Sequence, residues 1–225
     1  MTISSPRRAR AAAGWLAAAI GLGGVLAMAV ATSAVGAAAS PSGRATPLNR
    51  IERAIRAEEH ETFKVTYLTH GGGTTLRLVF EQRPPDLRYG TPQGFILVTG
   101  GTTYFCSTTA SPPVCASSGT NPFSALAAVF SPRIVATGLR ALRSEVASKL
   151  AGVKATSSRR RIAGQASTCV TVGTTSASYT YCVTNAKGIL AYSGSPAGYA
   201  QMTSVSSSPP ASDFSLPKGA LVTNA

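Results

Sequence analysis

Residues 63–106 alternate between short apolar stretches and strong turn signals. In the first stretch, FKVTY, apolar and polar residues alternate, which is the period-2 pattern of a half-buried strand. The breaks between stretches are the glycines at 71–73, the PPD sequence at 84–86 and the glycines at 100–101. The pattern therefore predicts five short strands in an antiparallel meander, with one apolar face that another element must cover.

Two segments with helical periodicity are the predicted covers of this face. The first runs from Pro47 to about Glu61, where apolar residues recur at i, i+3 and i+7 and most other positions are polar or charged. The second follows Pro132, and its apolar stripe is Val135, Leu139, Leu142, Val146, Leu150 and Val153. A shorter apolar segment at 123–130 also favours a helix, whereas residues 107–122 have no regular pattern.

Strand-like patterns return between residues 162 and 206, with turn signals at 185–188 and 194–198. The basic, serine-rich stretch at 154–161 is interpreted as a solvated connector, with a contact to anionic lipid as the alternative. Because helices and strands do not alternate along the chain, the order indicates an α+β protein with an antiparallel sheet.

The N-terminal residues have the features of a targeting segment. An arginine-rich start precedes an uncharged stretch at 14–35, and small residues ahead of Ser40 fit a cleavage site. Residues 1–39 are therefore a cleaved signal peptide or an uncleaved membrane anchor, since about 20 apolar residues can span a bilayer. In either case the arginines place the rest of the chain outside the cytoplasm, secreted or anchored to the cytoplasmic membrane. Residues 40–46 are a linker, and 47–225 form one domain.

All four cysteines lie in the exported part of the chain, where disulfides persist. Cys169 and Cys182 flank a hairpin whose register places them directly opposite each other, so a cross-strand disulfide is expected. Cys106 and Cys115 would close the loop STTASPPV between them. The alternatives are four free thiols or a metal site, but no C-x-x-C spacing is present and both histidines are remote, so no metal site is predicted.

The chain of 225 residues is basic, with 21 Lys+Arg against 8 Asp+Glu and a formal net charge of +13. Removal of residues 1–39 takes away three arginines and no acid, so the exported part keeps a charge of +10. This charge suits contact with an anionic membrane surface. Nucleic acid is not expected as a partner, because the exported chain has no platform of basic and aromatic residues.

Two local clusters carry residue types that catalytic sites use. His70 and the three glycines after it match the HGGG string of esterase oxyanion holes, but the G-x-S-x-G motif that would supply a nucleophile is absent. Glu58, Glu59, His60 and Glu61 form a charge cluster at a predicted helix end rather than two carboxylates that face each other across a substrate. We therefore expect no enzymatic activity and no cofactor.

Five stretches, taken with this order of elements, carry a resemblance to a known family. They are TFKVTYL, LRLVFEQRPPDLRYG, FILVTGGTTYFCS, GILAYSG and ASDFSLPKGA. Through them the chain resembles the LolA-like superfamily over roughly residues 47–220, most of all in the turn from Arg83 to Tyr89 and in Phe214-x-Leu216-Pro217. That group includes periplasmic lipoprotein carriers, mycobacterial glycolipid-carrier lipoproteins and the sensor domains of sigma-factor regulators.

The resemblance implies a strongly curved antiparallel half-barrel sheet, with amphipathic helices plugging its concave face and acyl chains held between them. The mycobacterial members carry a lipidated N-terminal cysteine, and this chain has no cysteine near its start. Anchoring by a lipid on cysteine is therefore excluded.

The predicted function is to bind or carry a lipid or another acylated ligand in a hydrophobic cavity, without catalysis. The candidate cavity residues are Phe63, Val65, Tyr67, Leu76, Leu78, Phe80, Ile96, Val98, Val135, Leu139 and Leu142. The same residues could instead form a dry core between sheet and helices. The alternative function is a membrane-tethered envelope sensor or interaction module, which would bind an envelope protein partner and transport no ligand.

Overall fold

The computed structural model describes four parts of the chain, which are residues 47–118, 132–147, 154–173 and 178–224. The predicted targeting segment and the predicted short helix at 123–130 lie outside the described residues. Among the described residues, no helix is both long and apolar enough to cross a membrane.

Two α-helices, one 3-10 helix and twelve strands make up the described parts. The helices are α1 (Pro47–Glu58), α2 (Pro132–Ala147) and the 3-10 helix Ala211–Phe214. The strands are β1 (Phe63–Gly71), β2 (Thr74–Arg83), β3 (Asp86–Thr91), β4 (Gly94–Thr99), β5 (Thr102–Ser107), β6 (Val114–Ser118), β7 (Lys154–Ile162), β8 (Gln165–Gly173), β9 (Ser178–Thr184), β10 (Leu190–Ser195), β11 (Gly198–Ser206) and β12 (Leu221–Asn224). The predicted meander of five strands is confirmed as β1–β5, and both long helices are confirmed.

All twelve strands belong to one open, curved sheet rather than a closed barrel. Their order is β12-β6-β5-β4-β3-β2-β1-β11-β10-β9-β8-β7, so β1 lies centrally and β12 and β7 are the two edges. Neighbouring strands are antiparallel except for the pair β12 and β6, which is parallel. The predicted antiparallel sheet is thus confirmed for every neighbouring pair of strands except β12 and β6.

The hairpin between β1 and β2 turns on two glycines. Gly72 and Gly73 both have positive φ, 56° and 75°, which is the backbone that a two-residue hairpin turn requires. The HGGG string is therefore the end of a strand and its turn, as the lack of a nucleophile motif indicated.

Helix α1 contributes one face to the main core of the protein. Leu48, Ile51 and Ile55, which recur at helical spacing, are at most 2% exposed. They belong to one buried cluster with Phe63 and Val65 of β1 and with residues of β2 and β8–β11. The apolar stripe of α1 is therefore the side of the helix that packs against the sheet and is removed from water.

Helix α2 is attached to α1 through one carboxylate. The side chain of Glu52 accepts contacts from Arg143 at 3.1 Å and from Arg140 at 3.4 Å, and Arg143 also donates to Asn49 Oδ1 at 2.8 Å. Val135 and Leu139 of α2 are 5% and 1% exposed in the same core. The two helices thus bury their apolar sides as a pair.

The opposite side of the sheet has a smaller core of its own. Phe95 and Leu97 in β4 alternate with residues that face the helices, and they pack with the disulfide between Cys106 and Cys115. Leu216 of the C-terminal segment packs against this cluster. The end of the chain therefore covers part of the side of the sheet that the helices leave open.

The basic stretch at 154–161 is a strand and not the connector that we predicted. Residues Lys154–Ile162 pair with β8 over their whole length and form one edge of the sheet. Most of their side chains are exposed, so the apolar alternation that marks a half-buried strand is missing. The stretch at 107–122, predicted to be irregular, likewise contains strand β6.

Both predicted disulfides are confirmed. Cys106 bonds to Cys115 across β5 and β6, and Cys169 bonds to Cys182 across β8 and β9. No free cysteine is present among the described residues. Two such bonds fit an oxidising, extracytoplasmic location.

We expect that replacing Cys169 and Cys182 by alanine lowers the free energy of unfolding by about 3 kcal/mol. The bond closes a sequence separation of 13 residues, which constrains the unfolded chain. The matched control replaces Thr171 and Thr180, whose hydroxyls hydrogen-bond across the same two strands at 2.8 Å, and should lose about 1 kcal/mol or less. Urea unfolding measures both, and equal losses would contradict the expected covalent contribution.

Candidate functional site

Most of the predicted cavity residues lie in the main core. Phe63, Val65, Tyr67, Leu78, Phe80, Val135 and Leu139 are buried in one cluster that the sheet and both helices share. Leu76, Ile96 and Val98 are half-buried. The side chain of Leu142 lies outside the described residues. The structure therefore places five of the predicted sheet residues in one buried cluster with Val135 and Leu139 of α2 and with the apolar stripe of α1.

The C-terminal end of α1 is tied to the sheet by a buried polar network. Glu58, the last residue of the helix, is 2% exposed. Nε2 of Gln82 donates to the backbone oxygen of Glu58 at 2.7 Å and to the backbone oxygen of Glu61 at 3.0 Å. Tyr67 donates its hydroxyl to the backbone oxygen of Leu190 at 2.7 Å. The buried polar groups of Gln82 and Tyr67 thereby have hydrogen-bond partners, and those of Gln82 lie at the end of the helix.

The carboxyl of Glu58 is the chemically unusual member of this network. Burial raises its pKa well above the usual value, and a hydrogen bond from the backbone of Leu190 offsets only part of that effect. The sequence suggested a solvated charge cluster at residues 58–61 because three acids and a histidine stand together there. Glu58 differs from its neighbours because it occupies the apolar stripe, one turn after Ile55.

Helix α1 also approaches the turn before β10 closely. Gly188 has a φ of 72°, and a Cβ at this position would overlap the backbone oxygen of Ala54 in α1. Only glycine meets both conditions without strain. This contact and the Glu58 network hold the helix at one fixed depth over the sheet.

A second group of charges lies on the opposite side of the sheet, between β1, β2, β3 and the 3-10 helix. Lys64 places Nζ 3.1 Å from Oε1 of Glu81 and 2.9 Å from Oδ2 of Asp213, and Arg88 lies 3.2 Å from the same Glu81 oxygen. Phe214, beside Asp213, stacks under the guanidinium of Arg83 at 4.7 Å. These contacts fasten the C-terminal segment to the sheet.

The two acids of this group have opposite pKa shifts. Burial raises the pKa of Glu81, a hydrogen bond with Asp213 raises it further, and Lys64 offsets part of the rise. Partial burial also acts to raise the pKa of Asp213, but its hydrogen bonds with Glu81 and Lys64 outweigh burial and lower it. Oε2 of Glu81 is buried and has no hydrogen-bond partner among the described residues, whereas Oε1 contacts both Lys64 and Arg88.

A cavity of about 240 Å³ adjoins this group of charges. Its lining is Lys64, Arg77, Val79, Glu81, Arg88, Gly90, Thr91, Pro92 and Phe95. Lys64 and Arg88 are already paired with Glu81, and Arg88 also lies over the ring of Phe95 at 4.2 Å. The charges of the lining are therefore largely engaged with one another.

The pair Lys64 and Glu81 could have been found from the sequence. If β1 and β2 form a hairpin that turns on Gly72 and Gly73, its register places these two residues directly opposite each other. Asp213 comes from far along the chain, and no local pattern points to its place in the group. Among the described residues, no group of His, Cys, Asp or Glu side chains is arranged to hold a metal ion.

Comparison with known proteins shows a likeness of fold and none of sequence. No protein-family model matches the chain, and no curated protein sequence matches it. Among solved structures, a chain of the MucA/MucB complex of Pseudomonas aeruginosa matches with a TM-score of 0.51 at 13% identity, over 76% of this chain and 61% of that one. A crystal structure of MucB matches with a TM-score of 0.48 at 14% identity, over 78% and 64%.

The matched region spans about three-fifths of these neighbours' own length. At this level of identity the likeness concerns the fold alone. It is consistent with the LolA-like superfamily that the sequence resembles.

We expect the substitution Glu58→Gln to remove a pH dependence of stability. The folded pKa of Glu58 is above the unfolded one, so its contribution is complete below the unfolded pKa and is lost as the pH rises through the folded pKa. Over that window wild type should lose up to about 1.4 kcal/mol per pH unit relative to the variant. Urea unfolding between acidic and neutral pH measures this difference, with Glu59→Gln as the control. An identical pH profile for wild type and Glu58→Gln would show that Glu58 is not buried in its neutral form.

We expect Asp213→Asn to loosen the C-terminal segment with little effect elsewhere. The pair with Lys64 is partly exposed, so the loss should be at most about 1 kcal/mol. Hydrogen exchange at residues 211–224 should become faster. The control Asp86→Asn removes an acid 3.7 Å from Arg83 at the β2–β3 turn and should leave that segment unchanged. Unchanged exchange at 211–224 in Asp213→Asn would mean that the charge group does not fasten the segment.

Proposed function

We propose that this chain is a non-catalytic, extracytoplasmic module that binds a protein partner in the cell envelope. The observation that carries the proposal is burial: five of the sheet side chains expected to hold a ligand lie in one buried cluster with residues of α1 and α2. Phe63, Val65 and Ile51 are each 0% exposed, and Phe80 is 1% exposed. A domain whose apolar face is occupied in this way meets other molecules through its surface and its sheet edges.

Two further facts support a protein partner. The structural neighbour of similar fold comes from a complex between MucA and MucB. The chain also has a basic exported part and two disulfides, as suits a module that works in the envelope.

Site-specific photo-crosslinking in the native host tests this proposal. A photoreactive residue is placed in turn at three exposed positions on different surfaces, which are Ser158, Leu68 and Lys218. We expect one envelope protein to be captured from at least one position and to bind the purified chain directly. Absence of any specific adduct from all three positions would contradict a role in protein interaction.

Lipid binding is the second candidate, and one observation favours it. Leu76, Ile96 and Val98 continue the helix-facing side of the sheet but are only half-buried, so the apolar face extends past the fully buried core. If an acyl chain binds there, the protein should bind a fluorescent fatty acid, and Val98→Asp should weaken binding at least tenfold. The matched substitution Leu68→Asp, at an exposed position on the other side of β1, should have no effect. Failure of wild type to bind the fatty acid would rule out this second function.

A further inference from the structure

Strand β7 is an uncovered edge of the sheet. It is nine residues long and lies at the end of the strand order, with β8 as its only neighbour in the sheet. Within the described parts of the chain, no backbone hydrogen bond reaches β7 from an element other than β8. In the described parts of the chain, one row of its N–H and C=O groups thus has no strand partner, although α1 and β11 come close to part of β7.

Three adjacent arginines concentrate positive charge on this edge. Arg159, Arg160 and Arg161 are all exposed, and their cross-strand partners on β8 are the neutral residues Thr168, Ser167 and Ala166. Arg161 donates to the backbone oxygen of Gly164 at 2.7 Å. In the described residues, none of the three takes part in an ion pair.

The chain has few acids to offer these arginines. Of its 8 acidic residues, five already form ion pairs elsewhere, and they are Glu52, Glu61, Glu81, Asp86 and Asp213. Glu58 is buried in the helix-side core with a raised pKa. Six of the eight acids are thus engaged or buried elsewhere, and no ion pair to the three arginines is present among the described residues.

The geometry of a strand determines what can use them. Successive side chains point to opposite faces of the sheet, so Arg159 and Arg161 project on one face and Arg160 on the other. A strand added beside β7 would place its own side chains directly across from all three. Guanidinium groups bind carboxylates with two parallel hydrogen bonds, and this favours an acidic strand.

Edge charges also prevent unwanted pairing. Two β7 edges from separate copies would bring six arginines together, and this repulsion opposes self-association. The same charges attract an acidic segment. The three arginines therefore both oppose pairing with a second copy of this chain and favour pairing with an acidic strand.

We propose that the β7 edge, with Arg159–Arg161 in its C-terminal half, binds an extended acidic segment of the partner protein as an added strand. This inference rests on the proposed function and specifies its surface and the chemistry of its partner. Main-chain hydrogen bonds to β7 supply affinity that does not depend on sequence, and the arginines supply selectivity for carboxylates.

The test measures binding of a nine-residue peptide to the full-length protein. The probe has three central glutamates flanked by alternating threonine and valine. One control peptide replaces the glutamates by lysines. A second keeps the glutamates but has prolines on both sides, which cannot donate to a strand ladder. We expect each control to bind at least tenfold more weakly than the probe, and alternate amides of β7 to exchange more slowly when the probe is bound.

Protein variants test the same edge from the other side. One variant reverses the three charges by Arg159→Glu, Arg160→Glu and Arg161→Glu. It should bind the probe at least tenfold more weakly than wild type does, and it should bind the lysine peptide more tightly than wild type does. The control Arg50→Glu, Arg53→Glu, Lys218→Glu has the same net charge, changes exposed residues elsewhere and should bind the probe within about threefold of wild type. The peptide comparison on wild type stands alone if the reversed variant does not fold.

Several results would overturn the inference. Equal binding of the proline-flanked peptide would show attraction of charge without strand addition. Binding of phosphatidylglycerol vesicles that requires the three arginines, with no protection of β7 amides by the probe, would assign the edge to a membrane surface. A partner that crosslinks equally to wild type and to the reversed variant would end this inference while the proposed function stands; absence of any partner would end the proposed function itself.

Discussion

A single sheet has two faces, and this structure depends on covering both of them with elements from distant parts of the chain. Burial of α1 against the sheet is the contact on which the rest relies, because it removes Ile51 and Ile55 from water together with the apolar side chains of β1. The position of the helix is set by shape and by polar contacts: Gly188 lets it approach the sheet, and Gln82 and Glu58 fix its end. On the other face, Asp213 and Phe214 fasten the C-terminal segment over β3 and β4.

This arrangement determines where the protein can meet other molecules. In the described part of the chain, the apolar stripe of α1 is buried in the main core, and the sheet ends in two edges, β12 and β7. One edge, β12, is short, whereas β7 is long and carries three adjacent arginines. The same open-sheet design that needs helices on one face thus leaves a strand edge whose charge limits which partners can pair with it.

Local signals in the sequence predicted the elements that alternate clearly between apolar and polar residues. The five strands of the meander, both long helices and both disulfides follow from such signals. Strand β7 was missed because an edge strand that is exposed on both faces has no apolar alternation. The parallel pairing of β12 with β6 and the place of Asp213 were beyond prediction, since they depend on contacts between residues that are far apart in the sequence, 149 residues for Lys64 and Asp213. Phe95 to Val98 is one apolar run in the sequence, but only Phe95 and Leu97 join the smaller core, because neighbouring strand residues face opposite sides of the sheet.

The intact mass of the protein, released gently from its own host and measured under native and then denaturing conditions, tests the central claim most directly. If the helices pack directly against the sheet and no ligand lies between the helices and the sheet, the native and denatured masses should agree. The value should lie about four daltons below that of the reduced polypeptide, one for each hydrogen lost in two disulfides. Extra mass of a lipid that disappears on denaturation would contradict a filled core and would favour a carrier.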